Sequence, residues 1–337
     1  MEKDPTLEEI YNCPLCGGNK FKKIIEKFSL QIKKCQVCSL VFTNPRLRKE
    51  IIKKRYSTDY FIQEYLGGLK IESLDEKPNL VDLYNHYGLY LEVIKNYFSP
   101  GKKLLEIGSA AGFFLHFAQK MGWQVTGVEH IPEAVKYARK TFNLLIYEGS
   151  FEEVEINEKF DLVVLLDVIE HFIDPVFCLK KAFKLLKSGG IIFISTPNYN
   201  SLSRRFLGKG WAVLSPADHL FYFTKTTLKL LLNKTGFMEL KITDLADFEP
   251  KAIHTQWKNG RSKFYKEIIE GVGIKFIFSK IRERKFNEFL SIDEFSTGKI
   301  RQYRWPKKVM KLAKKIIYDL FKMITEGDRL LILASKP

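Results

Sequence analysis

The sequence is short of cysteine, of long apolar runs and of acidic charge, and each shortage excludes something. Five cysteines in 337 residues are too few for a disulfide scaffold, and four of them lie within the first 40 positions. No uncharged apolar stretch reaches the ~18 residues a membrane span requires. The opening MEKDPTLEEIYN carries no apolar segment of a secretory signal, so a cytoplasmic location is the expectation, with peripheral attachment to the inner membrane face left open. Core material is not short: 45% of residues are hydrophobic and 14% aromatic, which excludes a disordered chain. The length fits one large domain with smaller modules, or two domains.

Acid is outnumbered by base, 39 to 55, for a net charge of +16, but unevenly. Residues 1–60 carry a net +6, residues 61–250 a net −2, and residues 251–337 a net +12. A basic balance suggests nucleic acid or an anionic membrane. Here that suggestion attaches to the two ends and leaves the middle of the chain neutral.

Cys13-Pro14-Leu15-Cys16 and Cys35-Gln36-Val37-Cys38 form two C-x2-C knuckles separated by eighteen residues. Two residues between thiolates aim both sulfurs at one ion, and two knuckles complete a tetrahedral S4 shell for zinc. A full S4 shell has no position for a catalytic water, so the metal is expected to be structural. Disulfides are the alternative, disfavoured by a reducing compartment. The stretch FKKIIEKFSLQIKKC between the knuckles reads as a hairpin, and Cys178 as an ordinary core residue.

From residue 79 the pattern alternates helix and strand. Leu80, Leu83, Tyr84, Tyr87, Leu91 and Ile94 recur at helical spacing, and short apolar strands are expected at 103–107, 124–128, 144–147, 160–166 and 190–195. Continuous apolar runs such as Leu162–Leu166 suit strands buried on both faces, so a doubly wound α/β sheet follows. The first strand–helix junction reads Glu106-Ile107-Gly108-Ser109-Ala110-Ala111-Gly112-Phe113, an E-x-G-x-x-x-G run that lacks the G-x-G-x-x-G of dinucleotide enzymes. Gly108 permits a tight turn, Ser109 a close backbone approach and Gly112 close helix–strand packing. Glu106 is placed to meet an amino group. The second strand ends in Glu129, followed by His130, where a carboxylate can take both hydroxyls of a ribose. Glu148-Gly149-Ser150-Phe151-Glu152 suits the edge and face of an adenine, and Asp167 ends the fourth strand at the cleft. Each acid alone could be a solvated loop residue; their joint order makes coincidence a poor explanation.

The runs LLEIGSAAGFF (104–114), VEH (128–130), EGSFEE (148–153), FDLVVLLDVIEHFIDP (160–175), LKSGGIIFISTPN (186–198) and HLFYFTKTTLKLLLNKTGF (219–237) resemble class I S-adenosylmethionine-dependent methyltransferases. The likeness spans roughly 100–245 and resumes at Asp328–Ala334, which looks like the antiparallel last strand. It implies a Rossmann-like methyltransferase sheet and S-adenosylmethionine as cofactor, held by Glu106, Gly108, Ser109, Gly112, Phe113, Glu129, His130, Ser150, Phe151 and Asp167. With the N-terminal C4 ribbon, the chain is similar to sugar C-methyltransferases, in which a Glu-His pair serves as base. It is also similar to ubiquinone-type O-methyltransferases, whose acidic-x-x-Glu-His run can hold a divalent ion. Asp167-Val168-Ile169-Glu170-His171 stands at the corresponding place, so His171 with Glu170 is the candidate base and His219 a second candidate. A helix cap or backbone anchor is the bland alternative for the same histidines. Tyr84, Tyr87 and Tyr90 either close over the cofactor or pack in the core. The absence of an N-P-P-Y run after Thr196-Pro197 favours oxygen or carbon acceptors over base amines.

About eighty residues between the sixth strand (237–245) and the last (329–335) exceed a minimal fold. Within them PKKVMKLAKKIIYDLFKMIT (306–325) and Arg261–Asn287 read as basic amphipathic helices, suited to an anionic membrane, to a core face, to RNA or to a lid. The expected organisation is a zinc ribbon at 1–48, a helical linker or cap at 49–100, the methyltransferase core at 101–250, a helical insertion at 251–326 and the last strand at 327–337. The expected activity is methyl transfer to an oxygen or carbon of a small, sugar-nucleotide or lipid-linked envelope precursor. RNA methylation is the first alternative, with nucleic acid the less favoured partner, and a non-enzymatic binding module the second.

Overall fold

A computed structural model describes residues 4–67, 71, 78–95, 97–98, 101–244 and 328–337. The chain divides into two compact units, Met1–Phe248 with Lys322–Pro337, and Glu249–Phe321. The insertion at 251–326 and both amphipathic helices expected in it lie outside the described residues.

The N-terminal region forms β1 (Leu7–Glu8), the hairpin β2 (Phe21–Lys27) and β3 (Leu30–Cys35), then β4 (Val41–Thr43) and β5 (Arg46–Leu47), with β1 pairing β5. The ribbon sheet borrows a strand from the core segment. β11 (Phe221–Tyr222), from the core segment, adds to β4 and completes a four-stranded sheet in the order β11-β4-β3-β2. Ile25, Ile32 and Val41 of the ribbon pack with Tyr199, Trp211, Leu214 and Tyr222 of the core, so one apolar cluster spans both.

Three short helical pieces follow: α1 (Lys49–Arg55), α2 (Thr58–Tyr60) and a π-helical turn at Phe61–Leu66; α3 (Leu80–Lys95) then packs into the apolar cluster that holds Phe114, Phe117 and Phe193. The α/β core runs β6 (Lys103–Ile107), α4 (Phe113–Lys120), β7 (Gln124–Glu129), α5 (Pro132–Phe142), β8 (Leu145–Glu148), β9 (Phe160–Leu166), α6 (Pro175–Leu185) and β10 (Leu186–Pro197). After α7 (Leu202–Leu207) and α8 (Lys225–Lys234), β12 (Met238–Asp244) and β13 (Arg329–Ser335) close the sheet. Its order is β12-β13-β10-β9-β6-β7-β8, parallel except that β13 runs antiparallel to both β10 and β12.

Sequence explains these boundaries locally. Leu162–Leu165 of β9 are wholly buried because neighbouring strands flank them and apolar clusters cover both faces. Pro132 and Pro175 open α5 and α6, where a missing N–H costs nothing, and the Asp174 carboxylate caps α6 by accepting from the Phe177 N–H at 3.0 Å. Thr224 and Thr227 form a reciprocal capping box at α8. Such caps contribute about 1 kcal/mol each. The parallel strands β6, β7, β8 and β9 all end on one side of the sheet, where the crevice of a doubly wound fold opens.

Candidate active site

At that edge lies a cavity of about 740 Å3, within the range of small-molecule sites. Its walls come from the ends of β6, β7, β8 and β9, and from α1, the π-helical turn and α3.

Two carboxylates from neighbouring strands face the cavity in opposite electrostatic states. Glu129 Oε2 accepts from the Ala110 N–H at 2.8 Å, while Oε1 accepts from the N–H groups of His130 at 2.7 Å and Ile131 at 2.9 Å. Burial opposes its charge, but hydrogen bonding led by His130 outweighs it and holds the carboxyl below the usual range. Oε2, which accepts one bond, retains a lone pair for a ligand hydroxyl, while Oε1 already accepts two. Glu106 is 3% exposed, its Oε2 has no partner among the described residues, and burial, reinforced by the Glu129 charge, drives its pKa well above the ordinary value. A desolvated carboxyl with an unshared lone pair on Oε2 calls for a hydrogen-bond donor, a cationic one most strongly.

The turn between β6 and α4 brings backbone to this cavity. Gly108 has φ +72°, and a Cβ there would lie 2.6 Å from Val168 Cγ2. Ser109 lines the cavity, with its Oγ buried and lacking a partner among the described residues. Past β8, Gly149 to Glu153 form the opposite wall. The Ser150 carbonyl accepts from both the Glu153 and Val154 N–H at 2.9 Å, the Ser150 hydroxyl donates to Glu152 at 2.5 Å, and Phe151 stacks on Phe172.

Of the sequence candidates, Glu106, Gly108, Ser109, Glu129, His130, Ser150, Phe151, Asp167 and His171 line the cavity. Gly112, Phe113, Glu170 and His219 do not. Gly112 (φ +75°) precedes α4, and a Cβ there would come within 2.6 Å of Leu144 Cδ1 and 3.0 Å of Ala138 Cβ, so it serves helix packing. Phe113 is buried against Tyr65, Tyr137 and Phe142. Tyr87 and Tyr90 do line the cavity, whereas Tyr84 packs on Phe117.

A second group of side chains at the cavity gathers around His171. Its Nδ1 lies 3.0 Å from the Asp218 carbonyl and 2.7 Å from the Tyr56 hydroxyl. A carbonyl can only accept, so Nδ1 carries the proton and Nε2 keeps a free lone pair. His219 repeats the pattern, donating from Nδ1 to the Val213 carbonyl at 2.7 Å, and its ring lies 4.6 Å from that of His171. Burial, then the neighbouring His219, pushes the His171 pKa down to about 3; burial lowers His219 as well, so both rings are neutral near pH 7. Glu170 is buried, accepts from the Thr196 hydroxyl at 2.9 Å and makes no hydrogen bond to His171; burial and the Asp167 charge raise its pKa to about 8. Glu170, His171 and His219 each offer a ligand atom within 4.8 Å of the others, a spacing that also suits a divalent cation.

Three contributors have no local sequence signature. Arg55 donates twice to Asp218 Oδ1, at 3.0 and 2.8 Å, and Tyr56 after it reaches His171, so α1 is tied to the His171 cluster. Arg329, at the start of β13, pairs with the Asp167 carboxylate and donates to the Tyr90 hydroxyl at 2.9 Å. Asp167 holds φ +54° and also accepts from the Ser195 hydroxyl at 3.2 Å.

In the ribbon, Cys13 and Cys38 Sγ lie 3.6 Å apart, as do Cys16 and Cys35, and all four sulfurs fall within 4.8 Å. Disulfide bonding is excluded at 3.6 Å, and a tetrahedral zinc with ~2.3 Å bonds would space its sulfurs about 3.8 Å apart. The residues therefore fit an S4 metal site. Cys178 is fully buried in the core.

A methyltransferase-domain family model matches residues 84–241. The ubiquinone biosynthesis O-methyltransferase of Aliivibrio fischeri is 30% identical over 158 residues, covering 43% of this chain and 68% of the relative. That of Bradyrhizobium diazoefficiens is 33% identical over 105 residues, covering 30% of this chain and 42% of the relative. A solved methyltransferase from Archaeoglobus fulgidus aligns at 18% identity with a TM-score of 0.44, over 73% of this chain and 91% of that one. With the motif-bearing strand ends gathered around one cavity and the family model and relatives matched across the core, the chain belongs to the S-adenosylmethionine-dependent methyltransferases.

Proposed function

We propose that the cavity holds S-adenosylmethionine with Glu106 on its amino group, Glu129 on its ribose hydroxyls and Gly149–Glu152 around its adenine, and that methyl transfer goes to a hydroxyl oxygen of a small molecule. The observation that carries the cofactor assignment is the contrast between Glu129, ionised and anchored by three backbone N–H groups, and Glu106, whose pKa is raised by burial and whose Oε2 has no partner among the described residues. The first suits neutral hydroxyls and the second an ammonium. When bound, the cofactor supplies a sulfonium methyl with a good leaving group.

The protein's own part is alignment and proton removal. His171 Nε2, bare because Nδ1–H is fixed on the Asp218 carbonyl, takes the proton of the acceptor hydroxyl as the oxygen gains the methyl. Tyr56 and Arg55 hold the ring and its carbonyl anchor, while Glu170 and His219 shape the wall behind them. Oxygen as the acceptor atom is supported by the named activity of the relatives. Acceptors of this class include sugar nucleotides and lipid-linked envelope precursors. The ribbon cysteines bind zinc in a structural role, since four sulfurs fill its shell.

The test is a cell extract incubated with isotope-labelled S-adenosylmethionine and either wild-type protein or His171→Gln. Small molecules or lipids gaining one labelled methyl only with the wild type support the reading. An unchanged rate in His171→Gln removes His171 as base, which predicts a loss of about 10²–10⁴-fold in kcat.

A further inference from the structure

Helix α6 carries three lysines, Lys180, Lys181 and Lys184, of which Lys180 and Lys184 point to solvent while Lys181 turns inward. The Lys181 ammonium donates to the backbone carbonyls of Val154 at 2.5 Å, Phe151 at 2.6 Å and Glu152 at 3.4 Å. Its Nζ also sits 5.1 Å from the centre of the Phe151 ring. Three N–H donors thus meet three carbonyls of a single turn, together with a ring face that favours a cation.

That turn follows β8, two strands along the sheet from β6 and Glu106. Gly149, Ser150, Phe151, Glu152 and Glu153 all line it, and Lys181 does not. Converging carbonyls present three negative dipole ends to one point, an arrangement that opens unless a cation fills it. Burial lowers the lysine's pKa, but the Glu152 and Glu155 carboxylates oppose that effect. The turn's internal bonds, from Glu153 and Val154 N–H to the Ser150 carbonyl, fix its curvature but do not connect it to the rest of the molecule. Lys49 and Lys53 tie Glu153 to α1 and Phe151 stacks on Phe172, while Lys181 makes the connection to α6, whose buried face packs into the core through Cys178, Leu179 and Ala182.

We propose that Lys181 is a positioning residue for the adenine end of the cofactor site, acting through the Phe151–Val154 turn without touching the ligand. The inference rests on the reading above that this turn receives the adenine. A displaced turn weakens contacts to the nucleoside, while Glu106, His171 and the acceptor side stay in place. The consequence is a rise in KM for S-adenosylmethionine without a matching fall in kcat.

The experiment is calorimetry with adenosine and S-adenosylhomocysteine as probes on the full-length chain, with steady-state kinetics alongside. Lys181→Met is compared with Lys180→Met on the exposed face and with Phe151→Ala. Lys181→Met is expected to weaken both probes by about tenfold, as loss of charge-assisted bonds implies, with kcat at saturating cofactor and KM for the acceptor within about twofold of wild type. Lys180→Met is expected to match wild type. If Phe151→Ala weakens adenosine but a folded Lys181→Met does not, Lys181 positions nothing and the inference fails. If neither variant changes adenosine affinity while the wild type binds it, the turn is not the adenine site, and the assignment beneath the inference fails with it. Should Lys181→Met unfold, Lys181→Gln, which keeps two donors on a shorter stem, is expected to give a smaller but measurable loss; wild-type affinity in that variant overturns the proposal equally.

Discussion

Replacing Glu106 by Gln separates charge from shape at the most unusual carboxyl of the cavity. Without ligand, burial and then the Glu129 charge raise the Glu106 pKa well above the ordinary value, so its carboxyl holds a proton to a higher pH than a solvated glutamate. An ammonium placed against its partnerless Oε2 favours the ionised form, so the pKa falls when the ligand binds. The sign follows directly: the free protein holds a proton that the complex lacks, so binding releases it. Affinity then rises with pH up to the free-state pKa, at most about tenfold per unit. The window is read below about pH 7.5, where the ligand's own amino group remains protonated. The Gln variant retains the shape but cannot ionise. It forfeits a charge-assisted hydrogen bond of about 1.5–3 kcal/mol, equivalent to an affinity loss of roughly 10–150-fold. The assay is calorimetry with S-adenosylhomocysteine in two buffers of different ionisation enthalpy, which counts protons released. Wild-type protein is expected to release up to about one proton and Glu106→Gln none. Equal affinity in the two proteins, or equal proton release, would refute the assignment of Glu106 to the amino group.

Three other perturbations address separate parts of the structure. Gly112→Ala forces a Cβ at φ +75° to within 2.6 Å of Leu144, so stability should fall by about 1–3 kcal/mol in denaturant unfolding while cofactor affinity of the folded fraction holds. A variant as stable as wild type would contradict the packing role. Cys35→Ser removes one of four clustered sulfurs; elemental analysis should show lost zinc and the melting temperature should drop by ~10 °C, since metal binding and ribbon folding are one equilibrium. Arg329 and Asp167 side chains are 34% and 30% exposed, so a double-mutant cycle of Arg329→Met and Asp167→Asn should give a coupling of only about 1 kcal/mol, and strict additivity would show that the pair is not energetically linked.

How much of this was legible from sequence depends on the range of the interactions. The strands at 103–107 and 160–166 fall where periodicity places them, because an apolar run bounded by turn residues is a local signal, and the last strand at 329–335 falls where the family resemblance places it. Glu106 and Glu129 were legible for the same local reason: Glu106 is the penultimate residue of β6 and Glu129 the last of β7, and the parallel register of the two strands brings those ends together. Gly112 and Phe113 share the motif of the ligand turn, yet their side-chain positions face the core, a distinction that spacing does not contain. Pairing between β11 and β4 joins residues roughly 180 positions apart, so the ribbon read as a separate module although its sheet borrows a strand from the core. Tyr56, Lys181 and Arg329 were invisible for a different reason. Each is an ordinary residue type on an ordinary element, and only the fold aims Lys181 at a turn some 30 residues away while Lys180 faces water.

The central claim is that this cavity is the cofactor site, and titration of S-adenosylmethionine into wild-type protein and Glu129→Ala tests it most directly. Saturable one-to-one binding by the wild type is predicted, weakened at least about tenfold in the variant, which loses both the ribose acceptor and the carboxylate that holds the Ala110, His130 and Ile131 N–H groups. Undiminished affinity in a folded Glu129→Ala, or no binding by the wild type at millimolar ligand, would contradict it.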